Sequence, residues 1–226
     1  MESIIIKGGN SLKGTVNISG SKNASLPILV LSILTRRLQL NNIPNLADIE
    51  SMLRLLKSLG INYRYLDESN KNKILLKSSK KLSSIADYEL VRKMRASFLV
   101  LGPLLTRTGY AKVSLPGGCA IGLRPVDLHV HAMKELGADI ELSDGYVIAK
   151  VKKNRLVGNR IKFSNISVGA TENAIMAAVL AKGETAIHNA AKEPEVQDLC
   201  NCLVSMGAKI DGIGTSKIVI DGVTDL

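Results

Sequence analysis

His131-Ala132-Met133-Lys134-Glu135-Leu136-Gly137-Ala138-Asp139-Ile140 reads as the last turns of an amphipathic helix, a glycine that ends it, and the start of a strand. The same phrase stands earlier as Leu55-Leu56-Lys57-Ser58-Leu59-Gly60-Ile61-Asn62-Tyr63. It returns later as Cys202-Leu203-Val204-Ser205-Met206-Gly207-Ala208-Lys209-Ile210. Gly60, Gly137 and Gly207 each fall just past the helical pattern, where a left-handed residue closes a helix. Self-similarity at long period marks a fold built from one repeated unit.

The surroundings repeat as well. An apolar helix precedes each phrase, at Ala24 to Leu34, Val91 to Leu105 and Ala174 to Leu180. A short strand follows it, at Leu38 to Leu40, Lys112 to Leu115 and Thr185 to Ile187. The second helix opens near a proline and an acid, Pro44/Asp48, Pro125/Asp127 and Pro194/Glu195, as helix starts do. After each phrase a returning strand is expected, at Lys73 to Leu76, Tyr146 to Ala149 and Lys217 to Ile220. The unit is helix, strand, helix, strand, strand, over residues 21–85, 86–155 and 156–226. Its first helix is apolar nearly all round and is therefore expected to be buried. The fold class is α/β, with three helices at the centre and sheets outside. That reverses a Rossmann fold, and no Gly-x-Gly-x-x-Gly turn or P-loop is present. Residues 1–20 stand outside the repeat and read as a hairpin, Glu2 to Lys7 with Thr15 to Ile18, that needs a partner sheet elsewhere.

Composition narrows the partners. The chain has 226 residues and a formal net charge of +10, which favours anionic ligands. With no Trp, two Phe and five Tyr, it offers few stacking platforms for nucleic acid. Its lysine groups, Lys71/Lys73 and Lys150/Lys152/Lys153, read as solvated faces. The longest apolar run, Leu26 to Leu34, is far below the roughly 20 residues of a membrane span. No signal peptide is read at the start, so the cytoplasm is the expected compartment. Three cysteines there suggest free thiols. Cys200/Cys202 and His129/His131 are spaced two apart on helices and point apart. No metal or other cofactor is expected.

Three segments combine helix-start donors with polar or charged residues. In Gly20-Ser21-Lys22-Asn23-Ala24 a serine cap and orphan N–H groups make an anion site to which Lys22 adds charge; the alternative is an ordinary capped helix. In Pro116-Gly117-Gly118-Cys119-Ala120-Ile121-Gly122-Leu123-Arg124-Pro125-Val126-Asp127-Leu128, glycines let backbone approach a ligand, and Arg124 precedes a helix start. The same positive field favours a thiolate at Cys119. The alternative is a surface turn. Asn165-Ile166-Ser167-Val168-Gly169-Ala170-Thr171 opens a third helix and offers backbone donors; a plain cap is the alternative. Arg95, flanked by Ala96 and Ser97, adds a cation with room around it.

Ser21-Lys22-Asn23-Ala24, Met94-Arg95-Ala96-Ser97, the cysteine loop through His129, Ser167-Val168-Gly169-Ala170-Thr171 and Glu193-Pro194-Glu195 together resemble the UDP-N-acetylglucosamine 1-carboxyvinyltransferase family of enolpyruvyl transferases. The resemblance runs the length of the chain, and the cysteine loop is its most specific part. It implies an inside-out α/β barrel of three repeats. It implies enolpyruvyl transfer from phosphoenolpyruvate to the 3-hydroxyl of UDP-N-acetylglucosamine, the first committed step of peptidoglycan synthesis. It also implies site residues. Lys22 and Arg124 would hold phosphoenolpyruvate, with Arg95 on the phosphate side, and Asn23 would hold the sugar nucleotide. Pro125, Val126, Asp127 and Leu128, with Asn165, Ile166, Ser167, Val168 and Gly169, would line the uridine and diphosphate pocket. Cys119 would be the loop thiol that can add to phosphoenolpyruvate, that either donates a proton to its methylene carbon or assists product release, and that is the target of fosfomycin.

Two departures accompany the resemblance. Asn165 stands where family members commonly carry lysine. The family enzyme is about twice this length, so the chain reads as its first half, with the residue 1–20 hairpin belonging to an absent second domain. That domain would supply the aspartate that deprotonates the sugar hydroxyl. The competing readings are a non-catalytic half that only binds sugar nucleotide, and the shikimate-pathway enolpyruvyl transferase, which shares the fold without this cysteine loop.

Overall fold

A computed structural model of the chain describes residues 3–116, 126–152 and 155–226. Cys119, Arg124 and Pro125 lie outside the described residues.

The first unit runs α1 (Lys22–Val30) with a 3-10 turn over Leu31–Ile33, β1 (Arg37–Asn41), α2 (Ala47–Ser58), β2 (Ile61–Tyr65) and β3 (Lys73–Ser78). The second holds β4 (Ile85–Ala86), α3 (Tyr88–Val91), a 3-10 segment Arg95–Val100, α4 (Leu101–Thr108), β5 (Tyr110–Ser114), α5 (Asp127–Glu135), β6 (Ala138–Ser143) and β7 (Tyr146–Val151). The third holds β8 (Arg160–Lys162), α6 (Val168–Ala178), β9 (Glu184–His188), α7 (Pro194–Ser205), β10 (Lys209–Asp211) and β11 (Lys217–Asp221). Each unit makes its own sheet, in the orders β1-β3-β2, β4-β5-β7-β6 and β10-β11-β9-β8. The returning strand of each unit, β3, β7 or β11, pairs antiparallel on both sides and forms the middle of its sheet. The short strands β4 and β8, too brief to show as a sequence pattern, extend the second and third sheets in parallel.

The apolar first helices form the centre. Leu29, Val30, Leu31, Ile33 and Leu34 are fully buried, as are Leu101, Leu104 and Leu105 of α4 and the whole face from Ala174 to Ala178 of α6. Burying each large side chain contributes about 1.5–3 kcal/mol. Helix contacts then pass around the ring: α2 reaches the second unit, α5 packs on α6 of the third, and α7 packs on α1 of the first. Gly60, Gly137 and Gly207 follow the caps of α2, α5 and α7 with φ of 100°, 87° and 107°, the left-handed geometry their position requires.

Two expectations need correction. The helix expected from Val91 to Leu105 is broken into α3, a 3-10 segment and α4. Pro103 has no N–H for a helical bond to Leu99, so a continuous α-helix through it loses a rung. The hairpin over residues 1–20 is not formed among the described residues: from Ser3 to Gly20 there is no strand. Ile4, Ile5, Ile6, Leu12, Val16 and Ile18 are 82–93% exposed. Two strands without a third or a packed face have too little burial to offset their ordering.

Asn173 of α6 locks the centre. Its Oδ1 accepts from the Gly102 amide at 2.7 Å, and its Nδ2 donates to the Phe98 carbonyl at 3.1 Å and to His129 Nδ1 at 3.1 Å. Gly102 is required by this packing, because a Cβ there would lie 2.4 Å from Asn173 Oδ1 and 2.6 Å from its carbonyl oxygen. Gly102→Ala is expected to lose about 1–3 kcal/mol, read as a lower midpoint in urea unfolding at pH 7.

Candidate functional site

The N-terminal ends of α1, α5, α6 and α7 converge on one cavity of about 510 Å³. Orphan helix amides make such a convergence suited to anions. Ser21 caps α1, its Oγ accepting from the Ala24 amide at 3.3 Å. Ser167 caps α6 in the same way through Ala170 at 3.3 Å, and the Thr171 hydroxyl closes the turn onto the Ser167 carbonyl at 2.8 Å. The first capped segment was read from the sequence as an anion site and the second as a set of backbone donors, each with a plain cap as the alternative; residues of both line the cavity.

Lys22, Asn23, Arg95, Val126, Val168 and Gly169 line this cavity together. Lys22 Nζ lies 2.8 Å from Asp48 Oδ2, a pair that fixes the ammonium at the mouth while both side chains remain partly exposed. Asn23 is the residue whose carbonyl loses its helical donor, since Pro27 inside α1 has no N–H. Val126 also borders a second hollow of about 660 Å³, shared with Asp127, Val130 and Leu142. Leu128 packs against the core. Asn165, Ile166 and Ser167 precede α6 and line neither hollow, with Ile166 60% exposed. Among the described residues no group of three or more His, Cys, Asp or Glu is placed to hold a metal ion, and no helix is long and apolar enough to cross a membrane.

Two cavity residues were given no site role from the sequence. His129 packs edge-on to Phe98 with ring centroids 5.2 Å apart. Because Nδ1 accepts from Asn173, the neutral ring carries its proton on Nε2, on the edge toward Gly169. Burial, and then the Arg95 charge, push its pKa down to about 3. Glu172, one turn into α6, is 4% exposed. Burial, then Glu195 and Glu193, push its carboxyl up to about 8. The signal for Glu172 was present in the sequence, as the lone acid in a largely apolar stretch, Ala170 to Leu180.

The two remaining described thiols sit on α7. Cys200 is buried and its thiol is pushed up to about 12 by burial and then Glu172; burial and then Asp198 raise Cys202. Thiolate is the reactive form. Limited alkylation followed by mass mapping should therefore mark Cys119 well before Cys200 or Cys202.

His129 has a consequence for acid stability. The unfolded chain takes up a proton near the ordinary histidine value of 6.5 and the folded chain only near 3. Between these values the unfolded state binds more protons, so stability falls as pH drops through that window, by about 1.4 kcal/mol per unit from this group. Urea unfolding at pH 7 and pH 5 should show the loss, and His129→Gln should flatten that part of the slope while lowering stability at pH 7.

Comparison with known proteins agrees with this architecture. The family described as EPSP synthase (3-phosphoshikimate 1-carboxyvinyltransferase) matches residues 6–226. UDP-N-acetylglucosamine 1-carboxyvinyltransferase from Rickettsia africae is 54% identical over 226 residues, all of this chain and 54% of that protein. The Rickettsia conorii protein of the same description shows the same identity and coverage. The chain thus spans about half the length of these relatives. Among solved structures, the enolpyruvyl transferase NikO from Streptomyces tendae aligns with a TM-score of 0.78 at 22% identity, over 96% of this chain and 50% of NikO. EPSP synthase from Acinetobacter baumannii aligns at 0.75 and 17% identity, over 97% of this chain and 49% of that one. The chain shares their fold. By a match that covers nearly its whole length, the chain belongs to the EPSP synthase-type family of enolpyruvyl transferases.

Proposed function

We propose that the chain forms one half of an active site that transfers enolpyruvyl from phosphoenolpyruvate to the 3-hydroxyl of UDP-N-acetylglucosamine, with release of phosphate. The carrying observation is the convergence of Lys22, Asn23, Arg95, Val168 and Gly169 on one cavity at capped helix starts. The 54% identity to relatives named for this substrate supports the choice of acceptor over shikimate 3-phosphate.

In this reading the sugar hydroxyl adds to C2 of phosphoenolpyruvate while C3 gains a proton. The resulting tetrahedral adduct then loses that C3 proton and inorganic phosphate, leaving the enolpyruvyl ether. Lys22 and Arg124 neutralise the phosphoenolpyruvate, Arg95 attends the phosphate, and Asn23 orients the adduct. Pro125 to Leu128 and Asn165 to Gly169 hold the nucleotide. Cys119 is the loop thiol that adds to phosphoenolpyruvate and assists product release, the group that fosfomycin would alkylate. Preorganised donors aimed at developing charge supply much of such catalysis, and each lost donor costs about 10²-fold or more. The base for the hydroxyl, and the face opposite Lys22, come from a second domain. The exposed isoleucines Ile4 to Ile6 support that partnership, because they offer an unpaired apolar segment. The product enters peptidoglycan synthesis in the cytoplasm.

The chain assayed alone should release almost no phosphate from the two substrates. Addition of a separately made second half, taken from the Rickettsia africae relative, should restore turnover. Near-normal turnover by the chain alone would overturn the division of the site. In the mixed system Lys22→Ala should lower kcat/KM by about 10²-fold or more, and an unchanged value would remove Lys22 from the site.

A further inference from the structure

One group in the cavity is not used by the function proposed above. Glu172 lies on α6 three residues after Gly169, and both line the same wall. It is 96% removed from solvent, since its exposure is 4%. No hydrogen bond or ion pair engages its carboxyl among the described residues. A buried carboxylate without a partner is costly, and a buried carboxylic acid much less so.

The groups facing it are unevenly arranged. From α7 come Glu195, which also lines the cavity, and Glu193, whose buried Oε2 has no hydrogen-bond partner. Cys200, buried on α7, adds no cation. From α5 comes His129, held neutral by burial and by Arg95. The cations Lys22, Lys93 and Arg95 lie on the cavity wall, and Lys22 is drawn to Asp48 on α2. The acids nearest Glu172 in charge terms are Glu195 and Glu193. Glu195 sits in the first turn of α7, where the helix dipole favours negative charge. Glu172, buried on the cavity wall without a hydrogen-bond partner, is thus placed to keep its proton. With Glu172 neutral, the described wall carries three cations against the two carboxylates Asp48 and Glu195. Ionisation of Glu172 cancels that excess.

We propose that Glu172 meets the anionic substrate as an uncharged carboxylic acid, donates a hydrogen bond to one of its oxygens, and expels it on ionising. The ligand identity rests on the function proposed above. The acid makes Glu172 a binding residue, because an ionised carboxylate is both unable to donate and repulsive to a diphosphate.

The test separates the proton from the ligand. In the first arm, carbon-13 glutamate labelling follows the carboxyl signal that Glu172→Gln removes, in the full chain without ligand. It should titrate near pH 8; titration in the ordinary carboxylate range would overturn the proposal whatever the ligand does. In the second arm, calorimetry measures UDP-N-acetylglucosamine binding from pH 7 to pH 9, an interval in which its diphosphate does not ionise. Affinity of the wild type should fall about ten-fold as the competent fraction declines, and Glu172→Gln, a neutral donor of the same shape, should bind with no such fall. Parallel losses in both proteins would assign the pH effect to another group and overturn the hydrogen bond. No binding by either protein at pH 7 would sink the substrate assignment and the hydrogen bond to this ligand, while a carboxyl signal titrating near 8 would still place the proton on Glu172.

Discussion

The amide of Asn173 is the point at which the second and third units are tied together. It sits on α6 of the third unit, and all three of its hydrogen bonds go to the second: the Gly102 amide, the Phe98 carbonyl and the His129 ring. In a buried setting each such bond is worth roughly 1 kcal/mol net, but an unpaired group costs more. The arrangement also orders the functional surface. Fixing His129 fixes the ring edge against Gly169, and therefore the spacing between α5 and the capped start of α6. The break in the helix around Leu101 is part of the same knot. The 3-10 turn ends where the Gly102 amide turns toward Asn173.

The repeat was legible because it is written in features that do not depend on tertiary context. Three glycines at helix ends, three apolar helices and three returning strands each carry their own local reason. The helix caps were legible on the same ground. Ser21 and Ser167 are caps by chemistry before they are ligands of anything, and the fold brings their helices to one cavity. The comparisons then placed the chain in the EPSP synthase-type family of enolpyruvyl transferases, the wider group that includes the resemblance carried by the cysteine loop.

What could not be read locally was what depends on neighbours. His129 and His131 look alike in the sequence, two places apart on one helix. One is buried beneath Phe98; the other is partly exposed, with its Nε2 3.2 Å from the Lys162 carbonyl. Glu172 looks like a polar interruption of an apolar run, and only the arrival of α7 makes it a neighbour of two further acids. The segment Ser3 to Gly20 has strand-like alternation, but pairing is a property of two strands and a supporting face, and none is supplied here. The helix expected from Val91 to Leu105 is interrupted before Leu101, and the missing N–H of Pro103 was a local warning that could have been weighed.

The closure of α7 onto α1 sets an order of events during synthesis. The helix from Lys22 to Val30 leaves the ribosome well before its cover, with Leu29 and Val30 destined for complete burial. Its cover, Pro194–Ser205, is added only after the whole second unit and α6 have been made. At translation rates of 5–20 residues per second the apolar helix waits roughly 8 to 35 s for that partner. The ring cannot be completed piecemeal from its N-terminal unit alone. A nascent chain of this design therefore depends on something else, a holding chaperone or its own unfinished neighbours, to shield its most hydrophobic segment until the last helix is made.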